Sequence, residues 1–307
     1  MLNNQPIFIV GSPRSGTTLM RYCLNRHSRI YIPPETNFFI RVYGNRNILL
    51  TPIEKNADKL VTRFLNFHYN TMAEFHHLKD FLINRVASDA ENYTDVANII
   101  FGEIAKEKGK VRWGEKTPGH VFYIDRILDL FPDAKIINLL RNPKNVLASY
   151  VKCSHLPDDF ISACAVYKLS VDSAQKYSDR IFNVQYDELT CNPEKVLINV
   201  CQYIGENFEP AMLQPGMRDS SYQKQAIELN DSIGIIPENP EKWKRVISDD
   251  LENFINWIMQ DGDYTVNSRC LVLWARMMIK YYLMILQITK NSWGYEKIKT
   301  CFSNDWQ

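Results

Sequence analysis

Residues 6–25 read PIFIVGSPRSGTTLMRYCLN, and this stretch decides how the chain begins to fold. The apolar run at residues 6–10 predicts a buried first strand, and the turn from Gly11 leads into a helix that begins near Gly16. The unpaired backbone N–H groups and the positive end of that helix therefore converge on one point. The stretch predicts a cradle for an anion.

The side chains of this turn suit the same purpose. Glycine lets the backbone approach an anion, hydroxyl groups donate to its oxygens, and arginine adds a fixed charge with a planar fork. The phosphate loop of nucleoside triphosphatases needs a lysine at the position of Thr17. A helix cap rich in serine and threonine, without any ligand, is the alternative for this loop alone. The candidate binding residues are Arg14, Ser15, Gly16, Thr17 and Thr18.

Composition narrows the class of protein. The chain has 307 residues, of which 45% are hydrophobic and 23% charged, and this is typical of a globular protein with a buried core. Its 36 Lys and Arg balance 35 Asp and Glu, so nucleic acid is not an expected partner. The seven cysteines never form C-x-x-C, and the histidines show no ligand spacing. Neither a disulfide framework nor a metal site is expected.

Apolar runs alternate with helical patterns along the chain, which predicts an α/β fold with a central parallel sheet flanked by helices in three layers. The apolar runs lie at residues 6–10, 111–113, 135–140 and 180–186. A helical insert is expected at residues 38–107. No repeat or linker marks a boundary before residue 262, so residues 1–262 are predicted to form one α/β domain.

Residues 263–307 are predicted to form a helical extension packed on the same domain. The apolar stretch 266–288 is interrupted by Arg276 and Lys280, which share one helical face. Packing on the domain is the first interpretation, and a peripheral membrane contact through 266–288 is the alternative. With no signal-peptide pattern at the N-terminus, a cytoplasmic location is expected, with membrane association as the alternative. The sequence predicts no particular oligomeric state.

A second strand-to-helix turn, at residues 135–150, carries another pair of anion-binding side chains. Arg141 follows the apolar strand, and Pro143 fits the first position of a helix. Ser149 shares a helical face with Asn142, so Arg141 and Ser149 can close on one anionic group. A strand-end arginine paired with a carboxylate, beside a surface serine, is the alternative. Two anion sites at the carboxyl ends of strands in one sheet predict a doubly anionic nucleotide there.

These motifs resemble those of sulfotransferases that use 3′-phosphoadenosine 5′-phosphosulfate (PAPS) as donor, and the tyrosylprotein-type and bacterial members are closest in motif. In that family a P-R-S-G-T-T-type loop holds the 5′-phosphosulfate, and residues 13–18 match it. An arginine and a serine eight residues apart hold the 3′-phosphate, and Arg141 and Ser149 match them. The resemblance implies a P-loop-like fold and in-line transfer of a sulfuryl group to an acceptor hydroxyl, without a metal.

The resemblance also implies three catalytic residues, Glu35, Arg14 and Lys116. Glu35, in YIPPETNFFIR, matches the glutamate that acts as base, and Lys116, in WGEKTPG, matches a lysine close to the sulfuryl group. A carboxylate can accept the proton of the attacking hydroxyl, and an ammonium group can stabilise charge on the leaving oxygen. Taken alone, Glu35 is better explained as a carboxylate that begins a helix. A solvated lysine is the alternative for Lys116.

Three further residues are assigned to the nucleotide by the same resemblance. Tyr186, in YDEL, matches a tyrosine near the nucleotide, although a core tyrosine is the alternative. Ser232 and Lys242, in DSIGIIPENPEKWKR, resemble a segment that closes over the nucleotide. Asn37 stands where tyrosylprotein-type members have arginine, so the expected acceptor is a small-molecule, carbohydrate or lipid hydroxyl. The sequence leaves two other functions open, namely a kinase-like P-loop phosphotransferase and a non-catalytic nucleotide-binding protein.

Overall fold

The computed structural model describes residues 5–39, 52–66, 72–151, 160–215, 235, 237 and 239–259. In this part of the chain five strands form one parallel sheet in the order β2-β3-β1-β4-β5. The predicted α/β fold with a central parallel sheet is therefore confirmed. The strands are β1 (Ile7–Gly11), β2 (Ile30–Tyr31), β3 (Arg112–Lys116), β4 (Lys135–Leu140) and β5 (Ile181–Gln185).

Helices connect the strands and cover both faces of the sheet. The described α-helices are α1 (Thr17–Asn25), α2 (Ile53–Leu65), α3 (Lys79–Asp89), α4 (Tyr93–Glu107), α5 (Ile124–Leu130), α6 (Pro143–Val151), α7 (Phe160–Gln175), α8 (Tyr186–Cys191), α9 (Pro193–Ile204) and α10 (Asp249–Ile258). Short 3₁₀ helices occupy Ala73–Leu78, Pro118–Tyr123, Pro210–Leu213 and Lys242–Arg245. The helix predicted to begin at Pro143 does so, and α9 begins at Pro193 in the same way, because proline fits the first helical position.

Alternate residues of β1 face two different helical layers. Phe8 and Val10 pack in a cluster with residues of α2, α3 and α4, whereas Ile7 and Ile9 pack with residues of α1 and α9. Both faces of the strand are therefore buried, which explains its continuous apolar sequence. Each fully buried side chain of this kind stabilises the fold by about 1.5–3 kcal/mol.

The predicted insert at residues 38–107 is helical in its described parts, at 52–66 and 72–107. Its helices α2, α3 and α4 form the layer that covers the Phe8 face of the sheet. The short strand β2 was not predicted, because two residues are too few to show a period. Residues 263–307, with the stretch 266–288, lie outside the described residues, and the boundary at 262 stays a prediction. Within the described ranges, no helix combines the length and the apolar character needed to cross a membrane.

The strand register brings four strand ends to one edge of the sheet. Ile9 is level with Lys116, Gly11 with Leu139, and Leu140 with Gln185. The chain runs from β1 to strands on one side of it and then crosses to β4 on the other side. Such a switch in direction opens a crevice at the carboxyl ends of the strands, where α/β proteins bind ligands.

Candidate active site

The turn after β1 has the backbone conformation of an anion cradle. Arg14 and Gly16 have φ angles of 68° and 99°, both in the left-handed region. Ser15 stabilises the turn, since its hydroxyl donates to the Ser12 carbonyl at 2.6 Å and its N–H donates to the same oxygen at 3.2 Å. No side chain caps the N-terminus of α1. Its first N–H groups therefore suit an anion, as the sequence predicts.

Tyr186 packs directly against this turn. It is the first residue of α8, and a Cβ atom added to Gly16 would lie 2.1 Å from Cδ2 of its ring. The guanidinium carbon of Arg141 lies 4.6 Å from the centroid of the same ring. Only glycine at position 16 therefore allows the tyrosine to approach. Two of the predicted nucleotide-site residues, Tyr186 and Arg141, are thus brought together beside the turn.

The two predicted anion sites are contiguous. Arg14 Nε donates to Ser149 Oγ at 2.9 Å, and Arg141 Nη1 donates to the Arg14 carbonyl at 2.7 Å. The hydroxyl of Tyr167 donates to the Arg141 carbonyl at 2.7 Å and fixes the backbone where β4 ends. Asn142 caps the N-terminus of α6, because its side-chain oxygen accepts from the N–H of residue 144 at 2.9 Å. These contacts link both Arg141 and Ser149 to the Arg14 turn.

On the β3 side of the Arg14 turn, Lys116 and Glu35 form an ion pair, with 2.6 Å between Nζ and Oε1. The Lys116 side chain is only 3% exposed, which excludes the alternative of a solvated lysine, whereas 30% of the Glu35 side chain is exposed. Burial lowers the pKa of Lys116, attraction to Glu35 partly offsets this, and repulsion from Arg21 adds to the lowering. The pair thus combines a buried cation with an accessible carboxylate.

Glu35 does not begin a helix, so that expectation is wrong. Residues 35–37 are irregular, and the Asn37 backbone has a φ of 48°, in the left-handed region. The Asn37 N–H donates to Thr117 Oγ1 at 3.1 Å. A contact with a distant residue therefore holds this segment in a conformation that an α-helix does not allow.

Arg21 is a candidate site residue that the sequence analysis missed. It is 3% exposed, and its guanidinium carbon lies 4.5 Å from the centroid of the Tyr22 ring. Its charge is close enough to Lys116 to lower the pKa of that lysine. The signal lies in the spacing, because Arg21 follows Thr17 by one helical turn and shares its face of α1.

The candidate residues follow the order of the strands along the edge. Lys116 ends β3 and pairs with Glu35, the turn with Arg14 follows β1, Arg141 follows β4, and Tyr186 follows β5. The ends of β3 and β4 are two strand spacings apart, about 10 Å. Over this distance, Lys116 and Arg141 lie on either side of the uncapped N-terminus of α1. These residues fit a nucleotide that carries negative groups at two positions.

Lys242 and Ser232 were assigned to a closing segment. Lys242 is exposed, and no hydrogen bond or ion pair of the described residues links it to the other candidates. Its neighbour Trp243 is buried, with Lys144 Nζ 4.7 Å from its ring centroid, so the segment packs on α6, which carries Ser149. Ser232 lies outside the described residues. Within the described ranges, no group of three or more His, Cys, Asp or Glu is placed to hold a metal ion.

Comparisons with known proteins identify the family and the fold. The family model described as "Sulfotransferase family" matches residues 6–210, and the chain belongs to the sulfotransferase family. The sulfotransferase domain of the Synechococcus PCC 7002 olefin synthase superposes with a TM-score of 0.58, over 84% of this chain and 96% of that domain. It is 22% identical to this chain, and a likeness at that level shows the fold.

Two curated relatives match over parts of their length. The chain is 24% identical over 256 residues to an uncharacterized protein of Aquifex aeolicus (strain VF5), which covers 79% of this chain and 31% of that protein. It is 28% identical over 148 residues to the nodulation protein NoeE of Sinorhizobium fredii (strain NBRC 101917 / NGR234), which covers 46% of this chain and 30% of that protein. The chain thus matches less than a third of the length of either relative.

Proposed function

We propose that the protein transfers a sulfuryl group from PAPS to an acceptor hydroxyl by in-line displacement. The observation that carries the proposal is the ion pair of Lys116 and Glu35 beside the uncapped N-terminus of α1. In this proposal a carboxylate, a buried ammonium group and an anion cradle share the crevice at the carboxyl ends of the strands. Membership of the sulfotransferase family supports the same reaction.

In this proposal the two ends of the donor bind to different strand ends. Arg14 and the N–H and hydroxyl groups of residues 15–18 hold the 5′-phosphosulfate. Arg141 and Ser149 hold the 3′-phosphate, and Tyr186 lies beside the nucleotide. When bound, PAPS supplies an activated sulfuryl group at the Lys116 side of the crevice.

Glu35 is the proposed base. As the acceptor oxygen attacks sulfur, Glu35 takes the hydroxyl proton, because its carboxylate is partly exposed and so accessible to an acceptor. Lys116 keeps a positive charge where the bridging oxygen leaves with its electron pair. Orientation of the reactants and stabilisation of charge account for most of the catalysis. The proposed acceptor is a small-molecule, carbohydrate or lipid hydroxyl.

The experiment combines a transfer assay with a binding assay. Protein is incubated with ³⁵S-labelled PAPS and a panel of hydroxyl acceptors, and binding of the product nucleotide 3′-phosphoadenosine 5′-phosphate (PAP) is measured by calorimetry. We expect Glu35→Gln to lower turnover about 100-fold or more while PAP affinity stays within about twofold. Arg14→Ala is expected to abolish PAP binding. Glu54→Gln, an exposed carboxylate of α2, is the matched control and leaves both quantities unchanged.

Three results would contradict the proposal. Normal turnover in Glu35→Gln would remove the assigned base. Transfer of a phosphoryl group from a nucleoside triphosphate, without any sulfated product, would instead favour a phosphotransferase. Binding of PAP without a labelled product across the whole panel would favour a nucleotide-binding protein without turnover.

A further inference from the structure

A second carboxylate lies buried next to Lys116 along β3. Glu115 is 0% exposed and accepts three hydrogen bonds from side chains. The hydroxyls of Thr36 and Thr117 donate to its Oε1 at 2.8 Å and 2.5 Å, and Nδ1 of His120 lies 2.7 Å from its Oε2. The carboxylate thus joins the segment after β2 to the segment after β3.

The two threonine hydroxyls extend this network to the backbone. Thr117 Oγ1 accepts from the Asn37 N–H at 3.1 Å, and Thr36 Oγ1 accepts from the Phe38 N–H at 3.3 Å. A hydroxyl has one proton to donate. Because both hydroxyls donate theirs to Glu115, the lone pairs of their oxygens are left to accept from the backbone. An ionised carboxylate at position 115 therefore sets the direction of the whole network.

This network begins at the residue next to the proposed base. Consecutive residues of a strand point to opposite faces of the sheet. Lys116 binds the side chain of Glu35 from one face, while Glu115 binds the side chain of Thr36 from the other. The Glu35 segment is therefore held on both sides, which explains how Asn37 keeps its left-handed backbone.

We infer that Glu115 is a positioning residue, which fixes the backbone that carries Glu35 through the hydroxyls of Thr36 and Thr117. The catalytic part of this inference rests on the proposed sulfuryl transfer. The negative charge of Glu115 also acts on its neighbour, since it favours the charged form of Lys116. His120 completes the network, packed 5.1 Å from the Phe39 ring and 6.1 Å from the Tyr123 ring between centroids.

A purely structural role explains the buried network around Glu115 less well than a role in the active site does. Well-packed apolar residues often replace a buried charged network at no cost in stability. Active sites, by contrast, need groups that neighbouring residues hold in a fixed geometry. Glu115 touches neither Glu35 nor the cradle in any described hydrogen bond, so it acts through the two threonines.

The test removes the hydroxyls one at a time. Thr117→Val and Thr36→Val keep the side-chain shape and break the links to Glu115. We expect each to lower kcat about tenfold or more through misplacement of Glu35, while PAP affinity stays within about twofold. The hydrogen–deuterium exchange of the Asn37 amide is expected to become at least about tenfold faster in Thr117→Val. Thr117→Ser is expected to restore both kcat and the exchange rate of this amide. Thr94→Val is the matched control, since its hydroxyl donates to the Leu130 carbonyl away from the site.

The outcomes separate this inference from the proposed function. Unchanged Asn37 exchange and unchanged kcat in both valine variants would overturn the inference, as would equal losses in Thr94→Val. If the wild-type protein makes no sulfated product, the proposed function fails. Faster Asn37 exchange in Glu115→Gln, which keeps both threonine hydroxyls, with unchanged exchange in α1, then still supports the positioning of this segment by Glu115, and unchanged exchange overturns it.

Discussion

Arg14 and Ser149 are 135 residues apart in the chain, yet Arg14 Nε donates to Ser149 Oγ at 2.9 Å. The contact joins the turn after β1 to the helix after β4. A ligand that spans the crevice between these strands therefore meets both groups together. The contact links Arg14, which is assigned to the 5′-phosphosulfate, to Ser149, which is assigned to the 3′-phosphate.

Ser149→Ala should weaken binding of PAP and leave binding of adenosine 5′-monophosphate unchanged. The reason is that Ser149 is assigned to the 3′-phosphate, which only PAP carries. Loss of a hydrogen bond to a charged group costs about 1.5–3 kcal/mol, or about tenfold or more in affinity. Calorimetry with both nucleotides measures the difference. An equal loss for the two nucleotides would contradict the assignment.

Gly16→Ala should destabilise the fold more than alanine at Gly102 or Gly109. Its Cβ would lie 2.1 Å from the Tyr186 ring, and the φ angle of 99° is unfavourable for alanine. We expect a loss of about 3 kcal/mol or more in the free energy of unfolding.

Urea titrations of the Gly16→Ala variant measure this loss, and two other glycines provide controls in the same experiment. Gly109 has a φ of 69° and nothing within 4 Å of an added Cβ, so alanine should cost about 1 kcal/mol. Gly102 lies inside α4 with open space around it, so alanine should stabilise the chain by about 0.5–1 kcal/mol. A different ranking of the three variants would refute the close contact with Tyr186.

The pH profile of turnover should depend on Lys116. Burial holds the pKa of Lys116 below its ordinary value of 10.5. The ammonium form is present below this lowered pKa and is lost as the pH rises through it, so kcat should fall on the alkaline side before pH 10.5. Lys116→Arg should remove this fall, because arginine stays protonated. An identical alkaline fall in wild type and variant would contradict the role of Lys116.

Acid should weaken the contribution of Glu115 to stability. Burial raises the pKa of Glu115, but attraction to and a hydrogen bond from His120, with hydrogen bonds from Thr117 and Thr36, outweigh it and leave the pKa below 4.5. The stabilisation is complete above pH 4.5 and is lost as the pH falls through the folded-state pKa. Glu115→Gln should therefore cost about 2 kcal/mol at pH 7 and progressively less in acid. Urea unfolding across this range measures the gap, and a gap that widens in acid would contradict the prediction.

Thiol reactivity should follow burial. Burial raises the pKa of Cys23 to about 12 and that of Cys201 to about 11, so little thiolate forms at pH 8. Cys191 is exposed. Brief treatment with iodoacetamide should therefore label Cys191 and spare Cys23 and Cys201, as read by mass spectrometry. Equal labelling of the three would show that the core around α1 and α9 opens readily.

Local patterns predicted the main elements of the fold. An apolar run between turn residues predicted β1 and β4, and proline marked the start of α6. The meeting of Arg141 with the Arg14 turn also follows from a general rule, since parallel strands bring their carboxyl ends to one edge. These features depend on short windows of sequence or on topology alone.

Tertiary contacts decided what the sequence could not predict. Lys116 is buried because Glu35, 81 residues away, compensates its charge. The Glu35 segment is irregular because Thr117 and Glu115 hold it. A local pattern contains no sign of such partners, so Glu115 read only as one more charged residue of β3.

The strand order separates two kinds of contact along the edge of the sheet. The ends of β1, β4 and β5 carry the residues assigned to the nucleotide, whereas Glu35 approaches from the side of β2 and β3. In the proposed reaction, mutations on the β2 side are therefore expected to alter which acceptor is used while the nucleotide is still bound in the same way. This division would suit the protein to directed evolution towards new acceptors.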